Sequence, residues 1–194
     1  MTSSISHHTI DRLFDAAASE QPTPGGGAIT AVTGALGISL LLKALRISLK
    51  TDEARMEHRS QDEQLVAIAT ELYKDADRDT AAYGRYIEAL KLPKGSEDEK
   101  ATRSAATKGA ARASASAALD CLDHAASALE VARQIEPHIS KMIVADLSAG
   151  IGLLRVTVSN AEENAQANIA SLKGDAGSYT ERLEAALERI RAIG

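Results

Sequence analysis

The residues of this chain best suited to grip a ligand through the backbone are Pro22-Thr23-Pro24-Gly25-Gly26-Gly27. Two prolines separated by one residue hold the chain extended, and glycines can then take positive φ at little cost. A small-residue, apolar run from Ala28 to Gly37 follows at once. The N–H groups of the glycines and of the first helical turn would converge as a cradle for an anion or a carbonyl oxygen. The same spacing also makes a plain helix-start turn. Lys43, Arg46 and Lys50 lie on one face near the end of that helix, as a site for an acidic ligand tail or as a solvated face favoured by the helix dipole. Asp146, flanked by Val144, Leu147 and Ile151, is a carboxylate whose pKa desolvation would raise, making it a general base, or else half of a helix-start or interface ion pair. Asp79 precedes Tyr83 by one turn, and Asn164 precedes Asn168 by one turn. A carboxylate beside a phenol can hold a polar heterocycle or cap a core tyrosine. Two stacked amides can bind such a ring or form an interhelical ladder.

Other chemistries are poorly represented. His7, His8, His58, His124 and His138 show no metal-ligand spacing, no Glu-x-x-His pair occurs, and neither a phosphate-binding Gly-Lys loop nor a nucleophile elbow is present. No metal is expected. Acidic residues outnumber basic ones, 27 to 22, and there is no Trp and one Phe, which argues against nucleic acid as a partner. The single Cys121 lies in an alanine-rich stretch and reads as an inert buried thiol in a reducing compartment. The N-terminal residues lack the pattern of a signal peptide, and Ala28 to Leu42 falls short of the roughly 20 apolar residues of a membrane span. A soluble, cytoplasmic protein without membrane contact is expected.

The elements that must position these residues are all helical. Ile10, Leu13, Phe14 and Ala17 make an amphipathic stripe that stops before Pro22. A second helix runs roughly from Ala28 to Leu49, its Gly34, Ala35, Gly37 and Ser39 leaving a surface another backbone can approach. Ser60/Glu63, Ser96/Glu99 and Ser178/Glu181 are spaced as capping boxes. The first opens a long helix ending at Leu92-Pro93, and the second an equally long one ending near Glu136-Pro137. Ile139 to Leu172 reads as a fifth helix, and a last one carries Tyr179, Leu183, Ala186, Leu187 and Ile190. With no alternating strand pattern, residues 1–194 read as one all-α domain, a bundle of about six helices, two of them long. The helix from Ala28 and the apolar start of the helix from Ile139 offer more apolar surface than one helical layer covers, so a homodimer is expected.

The order of these features resembles the formiminotransferase-cyclodeaminase C-terminal family, which includes stand-alone methenyltetrahydrofolate cyclohydrolases. The resemblance rests on Pro22 to Gly27, Gly34-Ala35-Leu36-Gly37, Leu92-Pro93-Lys94 followed by Ser96-Glu97-Asp98-Glu99-Lys100, and the spacing of Asp146, Asn164 and Asn168. It covers nearly the whole chain. Where relatives tend to carry Asn-Leu-Thr-x-Gly-Lys after the small-residue helix, this chain reads Arg46-Ile47-Ser48-Leu49-Lys50-Thr51. Gly84 stands where a second aspartate is usual, and Ala145-Asp146 where a Ser-Asp pair is usual.

The resemblance implies an all-α homodimer acting on a tetrahydrofolate that carries a one-carbon unit. The reaction would be hydrolysis of methenyltetrahydrofolate to formyltetrahydrofolate. The alternatives are loss of ammonia from formiminotetrahydrofolate and a divergent helical scaffold or regulatory partner without catalysis. Asp146 and Asp79 would then be catalytic, with Pro24, Gly25, Gly26, Gly27, Tyr83, Asn164, Asn168, Lys43 and Arg46 binding substrate and the carboxylate-phenol pair holding the pterin. On one unbroken helix Asp146 and Asn164 stand roughly 27 Å apart at 1.5 Å per residue, too far to flank one carbon atom. Either the helix breaks at Gly150 or Gly152, or the active site lies at a subunit interface to which each copy contributes. The second is expected, because one isolated glycine rarely stops a helix with Leu153 and Leu154 following.

Overall fold

A computed structural model describes residues 4–193. Within them the chain forms seven α-helices and no strand: α1 (Ile10–Ala17), α2 (Gly26–Ser48), α3 (Asp52–Glu57), α4 (Arg59–Lys91), α5 (Glu97–Ile135), α6 (Val144–Ser171) and α7 (Gly177–Ile193). Helices α2, α4, α5 and α6 pack in a closed square, each against the next, and α7 lies outside on α5. Neighbours in the square run antiparallel, as two facing positions in each pair establish: Gly34 with Leu72 and Arg46 with Asp62, Asp75 with His124 and Leu92 with Arg103, Ser114 with Asn168 and Ala132 with Ile151, Gly34 with Thr157 and Gly37 with Gly150.

Ile38, Leu41, Leu45, Leu65, Leu72, Leu119, Leu122, Ile135, Leu147 and Leu154 fill the centre, each under 2% exposed or at it. Burying each such side chain contributes about 1.5–3 kcal/mol. The inner face of α5 is mostly alanine, including Ala115, Ala118, Ala125 and Ala128, which lets three neighbours approach it. At the α2–α6 crossing the approach is closer still. A Cβ on Gly37 would come within 3.0 Å of the Gly150 carbonyl oxygen, and one on Gly150 within 2.7 Å of the Gly37 carbonyl oxygen. The small-residue surface expected of this helix is thus used inside the chain. α7 is fixed by Arg182, which reaches Asp120 at 2.7 Å and Asp123 at 2.7 Å on α5.

Several elements differ from the sequence reading. There are seven helices rather than about six because Thr51 accepts from the Ala54 N–H and starts a short α3. Only the Ser96/Glu99 pair forms a capping box. α4 begins at Arg59 without a side-chain cap, and Glu63 pairs with Arg59 instead. Ser178 lies inside α7 rather than at its cap. α6 begins at Val144, because Pro137 imposes a tight turn over Glu136–His138 and the chain turns again before Ile143. Of the α1 stripe, Leu13 packs against the core, while Ile10 and Phe14 face outward, 88% and 71% exposed.

By length and hydropathy α2 also passes as a membrane span, which the sequence reading, stopping at Leu42, did not find. Its buried residues are nonetheless taken up by α4 and α6, as for a core helix.

Candidate active site at the start of α2

α2, with 23 residues, is shorter than the 33-residue α4 and the 28-residue α6 beside it. Gly27 lies level with Asp79 of α4, with Ala117, Ala118 and Cys121 of α5, and with Asn164 of α6. Beyond that level α4, α5 and α6 continue past the start of α2, whose N-cap residue Gly25 offers no side-chain cap. The first intrahelical bond runs from the Ile29 N–H to the Gly25 carbonyl, so the N–H groups ahead of it have no partner within the helix, and that of Ala28 is taken by Asp79.

Asp79 occupies the cradle. A Cβ on Gly27 would stand 2.3 Å from its Oδ1 and 2.8 Å from Asn164 Nδ2, so only glycine admits the carboxylate so close to the helix end. None of Gly25, Gly26 and Gly27 has the positive φ that the sequence reading assigned to them. Their role is to leave room, and at Gly25 the backbone is extended, with φ −104°. Burial raises the Asp79 pKa above the ordinary carboxylate value, against the opposing pull of the Ala28 N–H and the Asn164 amide. Among the described residues no cation lies within ion-pair distance of it.

Behind Asp79, Asn168 Nδ2 donates to Asn164 Oδ1 at 3.1 Å and to the Ser114 carbonyl at 3.4 Å. The two asparagines therefore form the ladder and border the site at once. Asn164 turns its amide nitrogen toward Asp79 because its oxygen is engaged by Asn168. Tyr83 is 43% exposed, one turn above Asp79, with its ring centre 6.4 Å from that of Tyr86.

The other predicted residues are elsewhere. Lys43 and Asp146 pair with each other at 2.9 Å at the far end of α2, the lysine side chain half exposed and the aspartate about a quarter. Arg46 grips Asp62 through two bonds of 2.6 and 2.8 Å. Pro24 lies just ahead of Gly25 and is partly buried. α6 runs unbroken past Gly150 and Gly152, so Asp146 and Asn164 stay on opposite ends of the bundle.

Sequence reasoning missed Asp75 and His124. Asp75 is 1% exposed, bonded to His124 Nδ1 at 2.7 Å and to Arg78 at 2.6 Å, and it lines the same wall as Asp79. The carboxylate raises the His124 pKa. The available signal was the four-residue spacing of Asp75 and Asp79, read together with the antiparallel register of the two long helices. Cys121 lies in this wall too, and burial pushes its thiol far above the usual range, so it is inert packing.

Residues 9–189 match the formiminotransferase-cyclodeaminase family. The chain is 27% identical over 151 residues to the methenyltetrahydrofolate cyclohydrolase of Methylorubrum extorquens, covering 76% of this chain and 72% of that protein. Its fold matches the crystal structure of formiminotetrahydrofolate cyclodeaminase from Thermotoga maritima, with a TM-score of 0.76 and 18% identity over 97% of this chain and 96% of the other.

Proposed function

Because the chain belongs to the formiminotransferase-cyclodeaminase family, we propose that it hydrolyses methenyltetrahydrofolate to formyltetrahydrofolate, with Asp79 as the base. Membership of this family makes it a folate one-carbon enzyme of the cyclohydrolase and cyclodeaminase class. Hydrolysis is favoured over deamination by the sequence likeness to a cyclohydrolase, whereas the likeness to a cyclodeaminase is one of fold.

The observation that carries the mechanism is a partly buried carboxylate with a raised pKa and, among the described residues, no cation beside it, set against the glycine start of α2. The methenyl carbon is an amidinium, cationic and already electrophilic. An unneutralised Asp79 stabilises that cation and takes a proton from the attacking water as the C–O bond forms. The tetrahedral carbon then collapses to the formyl group. Its bond to one ring nitrogen breaks, that nitrogen receives the proton from Asp79, and the second water proton leaves to solvent. The Asn164–Asn168 ladder holds the carboxylate in place, and the N–H groups at the start of α2 are placed to meet a substrate oxygen.

The homodimer belongs to the same proposal. Leu36 and Ile47 of α2, Val144 and Val156 of α6, and Met142 just ahead of α6 are 43–77% exposed, on the outer side of two helices that pack together. A two-fold axis across the middle of α2 would carry the second copy's Lys43 and Asp146 toward the start of the first copy's α2. That is the one route by which Asp146 reaches this site.

Purified protein assayed with methenyltetrahydrofolate and with formiminotetrahydrofolate tests the reading. Ring opening of the first without ammonia release from the second is expected. Ammonia release alone would move the chain to the deaminase side, and failure to act on or bind either folate would leave the non-catalytic scaffold as the better account.

A further inference from the structure

The three helix faces that frame Asp79 do not end there. Seven residues further along α4 and α6, and seven back along α5, are two turns of helix, which return each face to nearly the same direction. Tyr86 therefore continues the Asp79 face, Ser171 the Asn164 face, and Ala111 the Ala118 face. All three line one cavity of about 440 Å³, together with Leu172, Thr107 and Lys108.

This cavity is in line with the Asp79 site, roughly 10 Å further from the start of α2 at 1.5 Å per residue. Its wall combines an aromatic ring and aliphatic side chains with two cations at the rim. Arg112 is committed to Asp175. Lys108 has no ion-pair partner within 4 Å among the described residues. Lys108 acts on Asp175 only at longer range than Arg112 does, so the rim keeps a net positive charge on the lysine side.

We propose that this cavity is a subsite for the acyl tail of the substrate, taking a benzoyl ring against Tyr86 and Leu172 and a terminal carboxylate on Lys108. The assignment rests on the folate reading above. A folate carries such a tail on the nitrogen beside the one-carbon unit. A para-substituted ring, an amide and one further carbon place its carboxylate roughly 10 Å from that nitrogen by standard bond lengths. With the one-carbon unit at Asp79, the carboxylate arrives at Lys108. The ring meets an aromatic and aliphatic wall on the way, as an amphipathic ligand requires.

The test compares two substrates and two proteins. Lys108→Gln is expected to raise KM for methenyltetrahydrofolate about ten- to hundredfold with kcat unchanged, the range of a lost charge-assisted contact. KM for methenyltetrahydropteroate, which has the ring but lacks the glutamyl carboxylates, should not change. Equal effects on both substrates, or none on either, would overturn the subsite while leaving the hydrolase reading intact. A second measurement does not depend on activity. p-Aminobenzoylglutamate alone should bind the wild-type chain and lose affinity for Lys108→Gln, and equal binding to both proteins would overturn the assignment. If the wild type opens no folate but that binding difference is found, the subsite stands and the hydrolase reading falls.

Discussion

The two ends of α2 each hold a carboxylate and treat it in opposite ways. At the start, Asp79 is partly buried, bonded only to neutral N–H groups, and shifted upward in pKa. At the far end, Asp146 meets Lys43 at 2.9 Å with both side chains in reach of water. An exposed pair of this kind contributes about 0–1 kcal/mol and leaves its members chemically quiet. A desolvated carboxylate without a counter-ion costs stability and gains basicity. The difference lies in what faces each group: glycine, alanine and asparagine at one end, lysine at the other. Charge kept away from water without compensation marks the working end of the helix.

The largest expected effect breaks that contrast at the working end. Asp79→Asn keeps the shape and removes the base, so kcat should fall about 10²- to 10⁴-fold, while the melting temperature at neutral pH holds or rises. The sign follows from linkage. The folded-state pKa of Asp79 lies above its unfolded value of 3.8, so folding is penalised once pH exceeds the folded pKa, and the penalty disappears as pH falls below the unfolded one. Wild-type activity should be lost on acidification at a pH above the usual carboxylate range, because the base must be ionised. A variant that keeps full kcat, or a wild-type acid limb at the ordinary aspartate value, would remove Asp79 from the mechanism.

A smaller effect separates two glycines of the same helix. A Cβ on Gly27 would collide with Asp79 and Asn164, and one on Gly37 with the Gly150 backbone and Leu153. Both Ala variants should lose about 1–3 kcal/mol to overpacking, measurable by denaturant unfolding. Gly27→Ala should also abolish most activity, whereas Gly37→Ala should keep the kcat of whatever remains folded. Gly26 is the control. Its Cβ would meet nothing within 4 Å, so Gly26→Ala should spare stability and weaken substrate binding only if the helix start is a ligand cradle.

Much of the bundle was legible because helix periodicity, prolines and the Ser96 cap are local signals. Ala28 to Leu49 and Ser60 to Leu92 fall within two residues of α2 and α4. The glycine stretch, Asp79, Asn164 and Asn168 were also legible as candidates, and the structure brings them together. Their relation was not. That Asp79 fills the cradle, and that Asp75 leans on His124, depends on how two helices are registered, and no spacing within one helix encodes that. The outward part of the α1 stripe shows the same limit, since a hydrophobic face says that something should cover it and not what.

The smallest expected effect concerns the quiet end. Asp146→Asn removes one member of an exposed ion pair whose partner can turn to water, so stability should change by no more than about 1 kcal/mol. If each chain carries its own complete site, activity should stay within a few fold of wild type, since α6 is unbroken and holds Asp146 roughly 27 Å from Asn164. A large loss of activity with stability unchanged would point instead to a second copy delivering Asp146 across the two-fold axis. In that event, mixing inactive Asp146→Asn protein with inactive Asn164→Ala protein should restore part of the activity, because one site of each hybrid dimer receives both intact residues. With subunit exchange verified by a mass-tagged chain, the absence of any recovery would rule out a site shared between two copies.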